Sequence, residues 1–119
     1  MKCLDTYALV EIAKANPNYA YLIQEDIVIP DVTLAEFYWV LLRDFGVDTA
    51  QEWFEKLLPY AKDARVEILI AAMDYRYEER KHNLSFFDCA GYVYALTHHI
   101  PFVTGDKEFE KKHGVEFVK

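Results

Sequence analysis

Apolar residues recur along this chain in two rhythms. Short apolar runs at Lys2–Asp5, Ile27–Ile29, Pro101–Thr104 and Val115–Val118 predict strands, the second ended by Pro30. Between them the spacing turns helical. Leu9, Ile12 and Ala13 predict a helix over Thr6–Ala15, stopped by Asn16-Pro17-Asn18. A long helix is expected from Val32 to Phe45, ended by Gly46. Asp48 then reads as the cap of a helix carrying Trp53, Phe54, Leu57 and Leu58 toward Pro59. Ile68, Leu69, Ala72 and Met73 predict a helix over Arg65–Lys81, and another is expected over Phe86–His98. Gly105-Asp106 should turn into a short helix through Phe109. Strands alternating with helices predict an α/β fold: three layers, α/β/α, around a central parallel sheet.

Composition narrows the picture. A chain of 119 residues suits one domain spanning 1–119, and 53% hydrophobic residues fill a real core. With 4 Gly and 4 Pro nothing reads as low-complexity. The start, Met1-Lys2-Cys3-Leu4-Asp5, lacks the apolar run of a signal peptide, and no stretch suits a bilayer span. A cytoplasmic protein with no membrane partner is expected. Cys3 and Cys89 make no metal or redox motif and read as buried free thiols. Aromatic residues, 16% of the chain, exceed what one small core buries comfortably, so some should line a dimer face or receive a partner.

The net charge of -7 argues against gripping nucleic acid by bulk electrostatics. It leaves room for a nucleic-acid enzyme, because a divalent-cation site is itself acidic and the ion reverses the local sign. There is no G-x-x-x-x-G-K-[ST], no G-x-G-x-x-G and no Ser-His-Asp or Cys-His arrangement. His98-His99 reads as complementing a helix end, and His82 and His113 as surface residues.

Four acids sit where a neutral residue would be cheaper. Asp5 ends the first strand and Asp106 follows the strand ending at Thr104. Glu36 lies in Leu34-Ala35-Glu36-Phe37-Tyr38 and Asp88 in Phe86-Phe87-Asp88-Cys89-Ala90. A buried carboxylate must be paired, hydrogen-bonded or metal-bound. In open parallel sheets ligands bind beyond the carboxyl ends of the strands, where Asp5 and Asp106 emerge. Glu36 and Asp88 fall in early turns of helices starting on that side. All-oxygen donors select Mg²⁺ or Mn²⁺, and the matching chemistry is metal-assisted phosphodiester hydrolysis. Thr6 and Thr104 stand ready to orient a ligand or a water.

Each acid also has a structural alternative. Thr33-x-x-Glu36 and Ser85-x-x-Asp88 fit the capping box; Asp5 and Asp106 suit plain N-caps. Asp31 is a rival cap that would push Glu36 beyond the first turn. Capping and metal binding are compatible, since helix N-termini favour negative charge.

The order Leu4-Asp5-Thr6, Glu36 within a helix, Ser85-Phe86-Phe87-Asp88-Cys89-Ala90, then Val103-Thr104-Gly105-Asp106-Lys107-Glu108-Phe109 resembles PIN domains, most closely the short VapC-type toxins. The resemblance covers essentially the whole chain. It implies an α/β/α fold and a Mg²⁺- or Mn²⁺-dependent endoribonuclease. It implies that Asp5, Glu36 and Asp88 are the best-preserved metal-binding acids and Asp106 the more variable fourth, with Thr6 and Thr104 as the adjoining hydroxyls. It further implies an RNA substrate, a homodimer, and an antitoxin whose basic tail suits an acidic groove. Tyr7 and Cys89 depart from the usual pattern without removing a ligand. Lys107, Arg43 and the Arg80-Lys81 pair are candidates for holding RNA phosphates. The rival reading is a PIN-like binding module whose acidic pocket receives a basic peptide.

Overall fold

Parallel strands need crossover connections, and the helices between the strands supply them here. The structure is a computed structural model and describes residues 1–119. Five strands, β1 (Lys2–Leu4), β2 (Ile27–Pro30), β3 (Ala61–Lys62), β4 (Phe102–Thr104) and β5 (Val115–Phe117), form one sheet in the order β3-β2-β1-β4-β5. All neighbours pair in parallel. Cys3 and Leu4 of β1 sit opposite Phe102 and Val103 of β4. The sheet grows in one direction through β2 and in the other through β4, so the order reverses beside β1. Ligand crevices open at such points.

The two-residue period of a strand sends successive side chains to opposite faces, and two separate cores result. Cys3, Val28 and Phe102 point to one face, beneath α4 (Val66–Glu78) and α5 (Phe86–Thr97). Leu4, Ile29 and Val103 point to the other, covered by α1 (Thr6–Ala13), α2 (Asp31–Phe45) and α3 (Val47–Leu57). This is the expected three-layer arrangement. Cys3 and Cys89 are buried free thiols, as read from the sequence.

On the α5 face an aromatic triangle sets the distance between the site's elements. Ring centroids lie 5.7 Å apart for Tyr92–Phe102, 5.2 Å for Phe102–Phe109 and 5.2 Å for Tyr92–Phe109. Phe102 and Phe109 are fully buried, each worth about 1.5–3 kcal/mol by transfer alone. The cluster therefore holds β4, α5 and the 3₁₀ turn Lys107–Phe109 as one unit. Gly91 lets α5 come close, because a Cβ there would stand 3.1 Å from the Phe102 ring.

The structure departs from the sequence expectations in several places. α1 ends at Ala13, and the Asn16-Pro17 stop starts a 3₁₀ segment, Pro17–Gln24, that buries Tyr19 and Leu22. β3 was not predicted. α3 begins directly at Val47 after Gly46, so Asp48 lies in its first turn and is not its cap. α4 is shorter at its charged end, running from Val66 to Glu78. α2 starts at Asp31 after Pro30. The Asp31 carboxylate accepts from the backbone N–H of Val32 (2.8 Å) and of Ala64 (3.2 Å), tying the start of α2 to the β3–α4 link.

Candidate active site

Asp5 leaves β1 at the point where the strand order reverses. Its N–H donates to the Val103 carbonyl at 3.0 Å, so its backbone is fixed by β4. As the N-cap of α1 it accepts from the Thr6 N–H on Oδ1 at 2.9 Å. Oδ2 accepts from the Thr104 hydroxyl at 2.7 Å. The residue is only 3% exposed. The same Thr104 Oγ1 accepts from the Asp106 N–H at 3.0 Å. One buried hydroxyl thus orients the first acid and the backbone of the fourth.

Glu36 reaches the same region from α2. Because that helix begins at Asp31, Glu36 falls in its second turn and Thr33 is buried inside the helix. The proposed Thr33–Glu36 capping box does not form; the N-cap position is Pro30, with no side-chain cap. Glu36 Oε1 instead accepts from the Thr6 hydroxyl at 2.5 Å, which joins it to the start of α1.

Asp88 realises its structural alternative in full. The Ser85 hydroxyl accepts from the Asp88 N–H at 3.1 Å, and Asp88 Oδ2 accepts from the Ser85 N–H at 2.9 Å. Asp106 caps the turn at Lys107, accepting from the Glu108 N–H on Oδ1 at 3.0 Å. Both Asp5 oxygens are engaged, and the other three acids each keep one free oxygen. Glu36 Oε2, Asp88 Oδ1 and Asp106 Oδ2 accept no hydrogen bond within the chain.

These carboxylates feel one another. Burial pushes Asp5 up to about 7 against the pull of the Thr104 hydrogen bond, and the charges of Asp88 and Glu36 add to the rise. Burial also raises Glu36, with the Thr6 hydroxyl opposing and Asp88 contributing. Asp88 is raised by burial and by Asp106, while the Ser85 hydrogen bonds oppose. None of the four acids takes part in an ion pair. As placed, no three His, Cys, Asp or Glu side chains stand close enough together to hold one ion. Each acid rests on its own hydrogen-bond donors: the Thr6 N–H for Asp5, the Thr6 hydroxyl for Glu36, the Ser85 N–H for Asp88 and the Glu108 N–H for Asp106.

Sequence reasoning overlooked one cation. Arg76, on α4, lowers the Asp88 pKa through its charge. Its Nε donates to the Leu84 carbonyl at 3.1 Å. Of the basic residues singled out from the sequence, Arg43 is spent on neighbouring Asp44 at 2.8 Å. Arg80 lies 4.3 Å over the Tyr77 ring.

A model of the PIN domain matches residues 2–115. The chain belongs to the PIN domain family. Among solved structures this PIN domain is similar to VapC20 of Mycobacterium tuberculosis, a toxin that cleaves the sarcin-ricin loop. The TM-score is 0.85 at 15% identity, with 100% of each chain covered. It is also similar to a chain of a toxin-antitoxin complex from Klebsiella pneumoniae, at TM-score 0.78 and 16% identity over 98% of this chain and 96% of that one. A third is a chain of VapBC2 from Rickettsia felis bound to a DNA fragment from its promoter, at TM-score 0.74 and 17% identity over 99% and 98%. At these identities the likeness establishes the α/β/α PIN fold. A comparison with curated protein sequences finds no match. No helix of this PIN domain is long and apolar enough to cross a membrane.

Proposed function

We propose that this PIN domain is an endoribonuclease, the toxin of a toxin–antitoxin pair, and that Asp5, Glu36, Asp88 and Asp106 hold Mg²⁺ or Mn²⁺. The carrying observation is a set of unpaired carboxylates, brought from β1, α2 and α5, whose charges act on one another where the strand order reverses. Such a set is costly unless a cation joins it. Its donors are all oxygen, which suits a hard divalent ion.

When bound, the ion supplies charge neutralisation at the phosphodiester and a more acidic water. The chain's own groups do the rest. Thr104 and Thr6 hold Asp5 and Glu36 in fixed orientations, and the Ser85 cap holds Asp88. The free oxygens of Glu36 and Asp88 position water and accept its proton. Water oxygen bonds to phosphorus, the P–O3′ bond breaks, and O3′ takes a proton from solvent. The products are a 5′-phosphate and a 3′-hydroxyl. Similarity to the sarcin-ricin-loop-cleaving toxin supports RNA as substrate, and similarity to toxin-antitoxin complexes supports an antitoxin partner. A cytoplasmic setting goes with that substrate. Homodimer formation belongs to the same proposal, supported by the uncovered apolar side chains Val66 and Ile70, one turn apart on α4.

The test is RNA cleavage in Mn²⁺ with the wild type and Asp88→Asn. The wild type should cut, and the variant should lose at least about a hundredfold in rate, as removing a charge-stabilising group does. Equal rates would remove the proposal. The spread placement of the acids favours one second reading, a module whose acidic pocket receives a basic peptide. The enzyme reading expects Mn²⁺ to raise the melting temperature; the module reading expects a basic peptide to do so instead.

A further inference from the structure

A polyanion must enter a site made of acids, in a protein of net charge -7. Cations near the site are therefore informative, and two arginines stand apart from the rest. Arg43 and Arg65 are committed to Asp44 and Glu67, whereas neither Arg76 nor Arg80 has a carboxylate partner. Both line a cavity of about 390 Å³ between the C-terminal end of α4 and the 79–85 loop, together with His82 and Asn83.

Both arginines are exposed, and each makes one hydrogen bond to a backbone carbonyl. Arg76 spends only Nε, on the Leu84 carbonyl, and leaves its two terminal nitrogens free. Arg80 donates through one terminal nitrogen to the Tyr77 carbonyl at 2.8 Å and lies over that residue's ring. Beside the cavity, His82 faces the Glu79 carboxylate at 3.7 Å and the Glu108 carboxylate at 3.8 Å, and Lys112 pairs with Glu79 at 2.8 Å, so the two arginines are the cations left without a carboxylate there. A planar fork with unused N–H donors matches phosphate oxygens.

The cavity adjoins the acid site through one peptide group. The Leu84–Ser85 peptide accepts from Arg76 with its carbonyl and donates to Asp88 with its N–H. Arg76 and Asp88 thus share a rigid connector, and the arginine charge acts on that carboxylate.

We propose that the cavity lined by Arg76, Arg80, His82 and Asn83 is a phosphate subsite that holds the RNA backbone beside Asp88. The identity of the polyanion rests on the nuclease reading above.

The experiment is fluorescence anisotropy of a fluorescein-labelled single-stranded RNA bound by the full chain over a salt series, with Ca²⁺ as the only divalent ion. Arg80→Gln and Arg76→Gln should each weaken binding about tenfold. Each should flatten the log–log salt dependence by about 0.7 per lost phosphate contact. Arg80→Lys should keep the slope. Binding and slope equal to wild type in both Gln variants overturns the subsite, as does a glutamate-rich peptide that binds at these arginines where the RNA does not. Mn²⁺ melting of the same variants separates the two proposals. If Mn²⁺ stabilises every variant while the Gln variants bind RNA like wild type, the subsite falls and the metal site stands. If RNA binding depends on the arginines and Mn²⁺ does nothing, the subsite stands and the metal site falls.

Discussion

Replacing Asp5 by Asn in metal-free protein should stabilise the fold at alkaline pH and destabilise it in acid. Asp5 is held near pKa 7 by burial and by its acidic neighbours, against about 3.9 in an unfolded chain. Between those values the folded state keeps a proton that the unfolded state has released. Stability therefore falls as pH rises through that window, and the loss is complete above about pH 7. Some three units of pKa correspond to about 4 kcal/mol. Asn removes the charge but has one acceptor oxygen for two donors, the Thr6 N–H and the Thr104 hydroxyl. That mismatch costs about 1–2 kcal/mol. The net gain at pH 8 is about 2–3 kcal/mol, and at pH 4 only the cost remains. A chain of 119 residues shifts by about 4 °C per kcal/mol. Calorimetric melting in chelator should then place Asp5→Asn about 8–12 °C above wild type at pH 8 and about 4–8 °C below it at pH 4. A variant melting below wild type at both pH values would refute the electrostatic account of this site.

Three further substitutions probe the surrounding frame. Asp106→Asn should lose much less RNA cleavage than Asp5→Asn or Asp88→Asn, because Asp106 lies on a surface turn and its charge acts on Asp88 but not on Asp5 or Glu36; equal losses in rate assays would contradict this ranking. Gly105→Ala should lower the melting temperature by about 4–12 °C, since overpacking costs about 1–3 kcal/mol. Its Cβ would collide with the Tyr7 ring and the Val118 carbonyl, and an unchanged melting curve would refute that packing. Thr104→Val keeps the buried volume but removes the hydroxyl shared by Asp5 and Asp106; denaturant unfolding should show a loss of about 1–3 kcal/mol.

Much of this architecture was legible because the local signals agreed with the tertiary result. β1, β2, β4 and β5 are apolar runs with punctuation, and each predicted helix carries an apolar face. The positions of Asp5 and Asp106 beyond strand ends followed from the same reading. What stayed hidden depends on long-range pairing. β3 is only Ala61–Lys62, with no β-branched residue, and exists because Ile29 and Pro30 of β2 offer it a partner. The 17–24 segment follows an Asn-Pro stop that usually means a loop, yet Tyr19 anchors it through a 2.5 Å hydrogen bond to the Val118 carbonyl. Glu36 looked like a capping-box acid because Thr33 stands three residues before it; the N-cap is Pro30, three residues before Thr33, and Glu36 reaches Thr6 instead. Arg76 was one charge among several at the end of a helix. Its place beside Asp88 depends on the loop that returns Leu84 to it. Tyr7, a departure from the family pattern, together with the Val118 carbonyl leaves no room for a Cβ at residue 105.

The central claim is that Asp5, Glu36 and Asp88 share one cation. Electron paramagnetic resonance of free Mn²⁺ measures this directly, since the ion's solution signal fades as it binds. Adding wild-type protein should deplete the signal, and Glu36→Gln or Asp88→Asn should leave most of it in place. A signal untouched by the wild type, or depleted equally by all three proteins, would contradict the account.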